Sequence, residues 1–430
     1  MTYRIAWSRV KKCQGASTFL TDAMGDACDV AETMHAGFPY LVDERTHEPF
    51  APALSYLTSA SMNGTRSLTT AKNKADHLYE WMLYLHTLGV DFRTIRLPEI
   101  QRYGERCAAY ISPTTRAPLE AGTIRGRLGT ILDFYRFAET QGWVPNGTIP
   151  KMTPKAPGAG QYRDRHARSV LSEIIPVSRS RLIEHITDEN LKRIFGSLNS
   201  SANTSEQTRD WLIALFCVTT GARIFETLAL TVHQILEFFL RLQSDPREKL
   251  RLHQTKGGVP RDIAVPLEVV TYLIAYMDGE RSRTISEATK SKALRKDHNK
   301  LFVNSLFAPQ PWIGHPYKEK RSEEAFATAQ ENIGLLRKVP IFDPGTRTIV
   351  GTRESPLHVL HHLRHTYAVR AWYAYSHLPA DDRWIKIQLQ LGHTNHHTTS
   401  RIYLRAVRAY EASARDSYGG ALKLLAELET

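Results

Sequence analysis

Between positions 145 and 160 the chain carries Pro145, Pro150, Pro154, Pro157, Gly158 and Gly160. Proline lacks an N–H and fixes its own φ, and glycine adds backbone freedom, so no helix or central strand survives such a run. The chain is therefore divided into bodies on either side. Its 430 residues require this anyway, because a single core stops growing well below that length. From Lys151 to Arg181 seven basic residues (Lys151, Lys155, Arg163, Arg165, Arg168, Arg179, Arg181) stand against two acidic ones (Asp164, Glu173). Residues 146–181 read as a solvated, basic linker.

Ahead of the linker, residues 65–145 read as helical. Ala71, Ala75, Leu78, Met82 and Leu85 follow a three-and-four spacing, and so do Leu97, Ile100, Tyr103 and Cys107. A third stripe, Ile124, Leu128, Ile131 and Tyr135, follows Thr123 and leaves Arg125 and Arg127 off the apolar face. By themselves such stripes predict only a helical bundle. Residues 1–60 are the least informative and are expected to form an N-terminal extension or arm, with Pro39–Asp43 extended and a turn over Thr46–Pro49.

Basic residues outnumber acidic ones by 56 − 44 = 12, which fits a polyanionic partner through counterion release without choosing among DNA, RNA and an anionic membrane. Cys13, Cys28, Cys107 and Cys217 lack metal or redox spacing, so a reduced, cytoplasmic setting is expected. No apolar run approaches the ~20 residues of a membrane span, and Met1 to Lys12 lacks the apolar block of a signal peptide.

Beyond the linker the chemistry concentrates between Leu357 and Tyr403. His361 precedes Arg364 by three residues, which puts both on one side of a helix, within reach of one anion. The run Ile385, Ile387, Leu389, Leu391 stops at Gly392, a residue that takes the left-handed C′ conformation at no steric cost. His393 is thereby held at that helix's mouth, and Tyr403 follows between Ile402 and Leu404. Two histidines, an arginine and a tyrosine suit phosphoryl transfer to a phenol.

This pattern, His-x-x-Arg, then Leu-Gly-His, then Tyr, resembles the C-terminal signature of the tyrosine recombinases, the phage-integrase family. Thr220-Gly221-Ala222-Arg223-Ile224-Phe225-Glu226 is similar to that family's first-arginine box. Thr255-Lys256-Gly257-Gly258, between the alternating Leu250, Leu252 and Ile263, Val265, resembles its lysine-bearing hairpin. The resemblance implies a mainly α fold with a small β-sheet (α+β). A helical core-binding domain (65–145) and a catalytic domain (182–418) would close like a clamp around double-stranded DNA. Residues 419–430, with Leu422, Leu424, Leu425 and Leu428, would form a terminal helix passed to a neighbour in a homo-tetramer on two DNA sites, assembled from monomers or dimers. Accessory proteins would be compatible with such a system. The stretch from Asp278 to about Lys300 and the one from Trp312 to Glu354 are expected to be surface elaborations, the second irregular, around a buried Leu301-Phe302-Val303.

The resemblance also implies roles. Arg223 and Arg364 would hold the scissile phosphate, with Glu226 in support. Lys256 would protonate the departing 5′ oxygen, His361 would exchange a proton with Tyr403, and His393 would donate to the phosphate. Tyr403 would be the nucleophile, while Tyr367 would be a core position and Tyr410 and Tyr418 lie past the motif. A phenol of pKa near 10 needs such cations or a base to react at neutral pH. The pair His361 and His365 has zinc-compatible i,i+4 spacing, but no His-Glu-x-x-His pattern follows, so no metal and no other cofactor is expected. His365 reads as structural, and His362, His396 and His397 as surface or DNA-contacting residues. Site-specific recombination is the function implied. A type IB topoisomerase-like nicking-closing enzyme and a non-catalytic DNA-binding relative are the alternatives.

Overall fold

The computed structural model describes residues 3–7, 19–21, 27–29, 37–62, 68–148, 184–200, 208–255, 258–392 and 407. It is mostly helical with small two-stranded sheets, and it divides into two compact units, residues 1–180 with 340–352, and residues 181–339 with 353–430. No helix among the described residues is long and apolar enough to cross a membrane.

In the first unit, strands β1 (Tyr3–Trp7) and β4 (Pro39–Asp43) pair antiparallel, with Ile5 opposite Leu41. A short hairpin of β2 (Phe19–Thr21) and β3 (Ala27–Asp29) lies between them in sequence. Helices α1 (Ala51–Met62), α2 (Leu68–Leu88), α3 (Leu97–Ala109) and α4 (Ala121–Thr140) follow. The three predicted stripes become the buried faces of α2, α3 and α4. Trp81 sits fully buried where they meet, its indole N–H donating to the Tyr135 hydroxyl at 3.1 Å and its ring edge-on to Tyr103. Phe38, Leu41, Ala53, Leu54 and Leu57 share that core. This part of the first 60 residues is thus packed into the helical unit and does not stand off as an arm.

The second unit is organised around α6 (Thr208–Thr220), which follows α5 (Asp188–Ser200). Apolar residues all round make α6 a buried helix: Leu212, Ile213 and Phe216 face one core, and Ala214, Cys217 and Val218 another. One of its orphan N-terminal donors is met by Glu280, whose carboxylate accepts from the Thr208 N–H at 3.1 Å and also from its hydroxyl at 2.7 Å. The stretch after Asp278 is therefore not mere surface. Glu280 and Arg281 are buried, and Arg281 forks onto Asp297 at 2.6 and 3.0 Å.

Then come α7 (Ile224–Ala229), α8 (Val232–Ser244), the hairpin of β5 (Leu250–Leu252) and β6 (Arg261–Ile263), α9 (Leu267–Tyr276) and α10 (Ser282–Lys290). The predicted Leu301-Phe302-Val303 is buried. The region from Trp312 to Glu354, expected to be irregular, holds α11 (Glu319–Glu331) and the paired strands β7 (Leu336–Phe342) and β8 (Ile349–Pro356). Helix α11 needs only a thin apolar seam, Phe326 and Ala329, to dock on the core behind α6. Helices α12 (His361–Ala374) and α13 (Ala380–Leu391) complete the described part, packed through a Trp372–Trp384 stack at 4.3 Å.

Candidate active site

Two glycines fix where the site's backbone turns. Helix α6 stops at Gly221, at φ +68°. A Cβ there would lie 2.6 Å from the Tyr367 ring and 2.7 Å from Leu391, so both conformation and space exclude a side chain. Helix α13 stops at Gly392, at φ +64°, as its sequence pattern predicts, and a Cβ there would meet Arg261, with Nε at 2.6 Å. The ends of α6 and α13 are therefore brought together with the base of the β5–β6 hairpin.

Arg364 joins the two ends. It projects from α12 into the interior, 2 % exposed, and donates from Nη1 to the Gly221 carbonyl at 2.5 Å and from Nη2 to the Leu391 carbonyl at 2.6 Å. Terminal carbonyls lack intrahelical partners and carry the negative end of the helix dipole, so a guanidinium there is stabilised by both hydrogen bonding and charge. The planar fork is oriented by these two acceptors, which a lysine could not satisfy together.

Arg223 lies two residues beyond Gly221 at the N-cap of α7. Its backbone N–H donates to Glu226 Oε2 at 2.8 Å and its Nη1 to Oε1 at 3.1 Å. Glu226 is fully buried and also accepts from Arg261 Nη2 at 2.6 Å. The pair visible in sequence as Arg223 and Glu226 is thus a triad, and Arg261 is the residue that spacing does not reveal. Arg261 donates in addition to the Gln390 carbonyl. The Gln390 amide bonds Ala264 in both directions, at 3.0 and 2.8 Å, and donates to the Thr220 carbonyl at 3.1 Å. Three arginines against one glutamate leave a net +2 on this group (3 − 1).

His361 is exposed in the first turn of α12, one turn before Arg364, and His365 packs edge-on against it with ring centroids 4.8 Å apart. His365 is half-buried. His362, read from sequence as a surface or DNA-contacting residue, is also half-buried, and burial pushes its imidazole down to about 4. Tyr367 is buried against Gly221, and burial raises its phenol, as suits a packing residue. Lys256, His393, His396, His397, Tyr403, Tyr410 and Tyr418 lie outside the described residues, as does the segment 419–430.

Residues 184–409, over half of the chain, match the phage integrase family. The chain belongs to the phage integrase family. As a member it is a tyrosine-type site-specific recombinase, a DNA strand transferase. The fold agrees. XerH site-specific recombinase in a post-cleavage complex with a palindromic difH substrate is similar over 82 % of this integrase and 81 % of that chain, at 15 % identity and TM-score 0.51. The Tn1549 transposon integrase in complex with circular intermediate DNA (14 % identity, 82 % and 94 % covered, TM-score 0.49) and a lambda integrase dimer bound to a COC′ core site (14 %, 81 % and 93 %, TM-score 0.46) are also similar. Among curated proteins none matches this integrase by sequence.

Proposed function

We propose that this integrase cleaves and rejoins double-stranded DNA at specific sites through a 3′-phosphotyrosyl intermediate on Tyr403. The observation that carries the reading is the fixed anchoring of both Arg223 and Arg364 around the ends of α6 and α13. One is held by Glu226 and the other by two helix-end carbonyls, both beside the Leu391-Gly392 turn that leads into His393. Rigid donors of that kind stabilise charge growing on a phosphate's non-bridging oxygens, each contributing on the order of 3 kcal/mol to the transition state.

The Tyr403 oxygen attacks phosphorus and its proton passes to His361. The bond to the 5′ oxygen breaks, and Lys256 supplies the proton that this oxygen takes up. His393 donates to the phosphate, and Glu226 and Arg261 keep Arg223 in place. The phosphodiester's energy is conserved in the tyrosyl ester, so rejoining needs no nucleotide cofactor. The helical unit would add its own contacts to the duplex. The active assembly would be a homo-tetramer on two sites, with residues 419–430 exchanged between neighbours.

A nicked suicide duplex tests the chemistry. Wild type should form a covalent protein–DNA adduct, and Tyr403→Phe should lose it while still binding DNA. An adduct that persists in Tyr403→Phe would move the nucleophile elsewhere. Relaxation of supercoiled DNA without sequence preference, in place of exchange between two sites, would favour the topoisomerase-like alternative.

A further inference from the structure

Among the described residues, Glu184, His358 and His362 bring one ligand atom each within 4.8 Å of one another. This is not the pair that i,i+4 spacing first suggests, since His361 and His365 meet through ring packing. The Nδ1 atoms of His358 and His362 are 3.3 Å apart, and Glu184 Oε2 is 3.9 Å from His362 Nδ1. Tetrahedral zinc with Zn–N of about 2.05 Å sets two nitrogen ligands about 3.3 Å from each other. The separation is that of two ligands on one ion.

The surroundings point the same way. His358 is 6 % exposed, and its backbone is pinned by the fully buried Gln330, which accepts from the His358 N–H and donates to its carbonyl, both at 2.8 Å. Its Nε2 is buried and has no hydrogen-bond partner among the described residues. The ring's polar engagement therefore runs through Nδ1, and a single long contact between neutral imidazoles compensates little of its desolvation. A metal–nitrogen bond at each Nδ1 would replace that contact. Glu184 is half exposed and rests 4.0 Å from Arg337, so a modest swing brings its carboxylate to the ion. Among the described residues, Arg337, His185, His361 and His365 are the other charged or titratable groups near the cluster.

We propose that Glu184, His358 and His362 bind a zinc-class divalent ion, apart from the phosphate-handling arginines, and so staple the chain that follows the linker onto the first turn of α12. Three protein ligands leave a fourth position for water. The ion would touch no reacting atom. It would act by positioning, because His361 and Arg364 stand on the same turns as its ligands.

The test uses the full, untagged chain, stripped with chelator and then titrated with Zn²⁺ against a chromophoric competitor and with Co²⁺ by visible absorption. One ion per chain should bind with a tetrahedral cobalt spectrum, and the thermal midpoint should rise with Zn²⁺ concentration. Glu184→Gln and His362→Gln should each weaken binding about tenfold or more with circular dichroism unchanged, while His396→Gln with His397→Gln should not. His362→Cys should add a thiolate-to-cobalt band in the near ultraviolet, which no purely structural role would produce. No bound ion, binding indifferent to Glu184→Gln and His362→Gln, or the absence of that band would overturn the proposal.

Discussion

Replacing Glu226 by glutamine removes the carboxylate that, among the described residues, joins Arg223 to Arg261. It is fully buried and accepts three N–H bonds, at 3.1 and 2.8 Å from Arg223 and 2.6 Å from Arg261. An amide accepts on one oxygen, so at least one guanidinium would then face an NH₂ group. Charge-assisted hydrogen bonds contribute about 1.5–3 kcal/mol each, and removing one partner of a buried pair costs about 3–5 kcal/mol. The two arginine side chains retain 17 % and 12 % exposure. Water recovers part of the loss, leaving a destabilisation of about 3 kcal/mol. At a guanidinium m-value of about 4 kcal/mol/M the unfolding midpoint of the catalytic unit should fall by about 0.8 M. Adduct formation on the suicide duplex should fall about 100-fold, the equivalent of one misplaced donor, with DNA binding kept or slightly tightened. A loss below about 1 kcal/mol together with full cleavage would refute the view that Glu226 holds the arginines in register.

Gly221→Ala should cost about 2–4 kcal/mol, from the left-handed backbone and the collision with Tyr367 and Leu391, and thermal melting that shows no change would contradict the packing described. Arg364→Lys keeps the charge but cannot serve the Gly221 and Leu391 carbonyls together. It should abolish measurable adduct while duplex binding, read by mobility shift, survives. In the helical unit, burial, reinforced by Arg127 and Lys74, lowers the His77 pKa to about 4 from 6.5. Between those values the unfolded chain binds the extra proton, so stability should decline as pH falls from 6.5 to 4, at up to about 1.4 kcal/mol per pH unit. His77→Gln should flatten that slope in denaturant titrations, and an unchanged slope would exclude His77 as its source.

The features legible in the sequence are those set by local spacing. The three stripes of the helical unit, the stop at Gly392, the β5–β6 hairpin around Leu250 and Ile263, and the Arg223–Glu226 turn all lie within one element or at its end. Contacts between distant segments were not legible. Arg261 reaches Glu226 across 35 residues, and Gln390 reaches Thr220 across 170. Helix α11 escaped notice because Phe326 and Ala329 alone make too thin a stripe to outweigh the charge around them. The histidines misled for a related reason. His361/His365 and His358/His362 share the same spacing, and only the buried Gln330 and the returning Glu184 decide which pair has converging lone pairs.

The Arg364 fork has a consequence for how such a chain can vary. It grasps carbonyls 143 residues upstream and 27 residues downstream of itself, so the two loops departing from those carbonyls, one to Arg223 and one to His393, start from a fixed mutual offset. Exposed segments between them that make no contact with this frame, such as the turn joining β7 to β8, can lengthen or shrink without altering that offset. Insertions there are therefore a cheap source of diversity, whereas a single residue added between Leu391 and His393 would disengage the two halves of the catalytic frame.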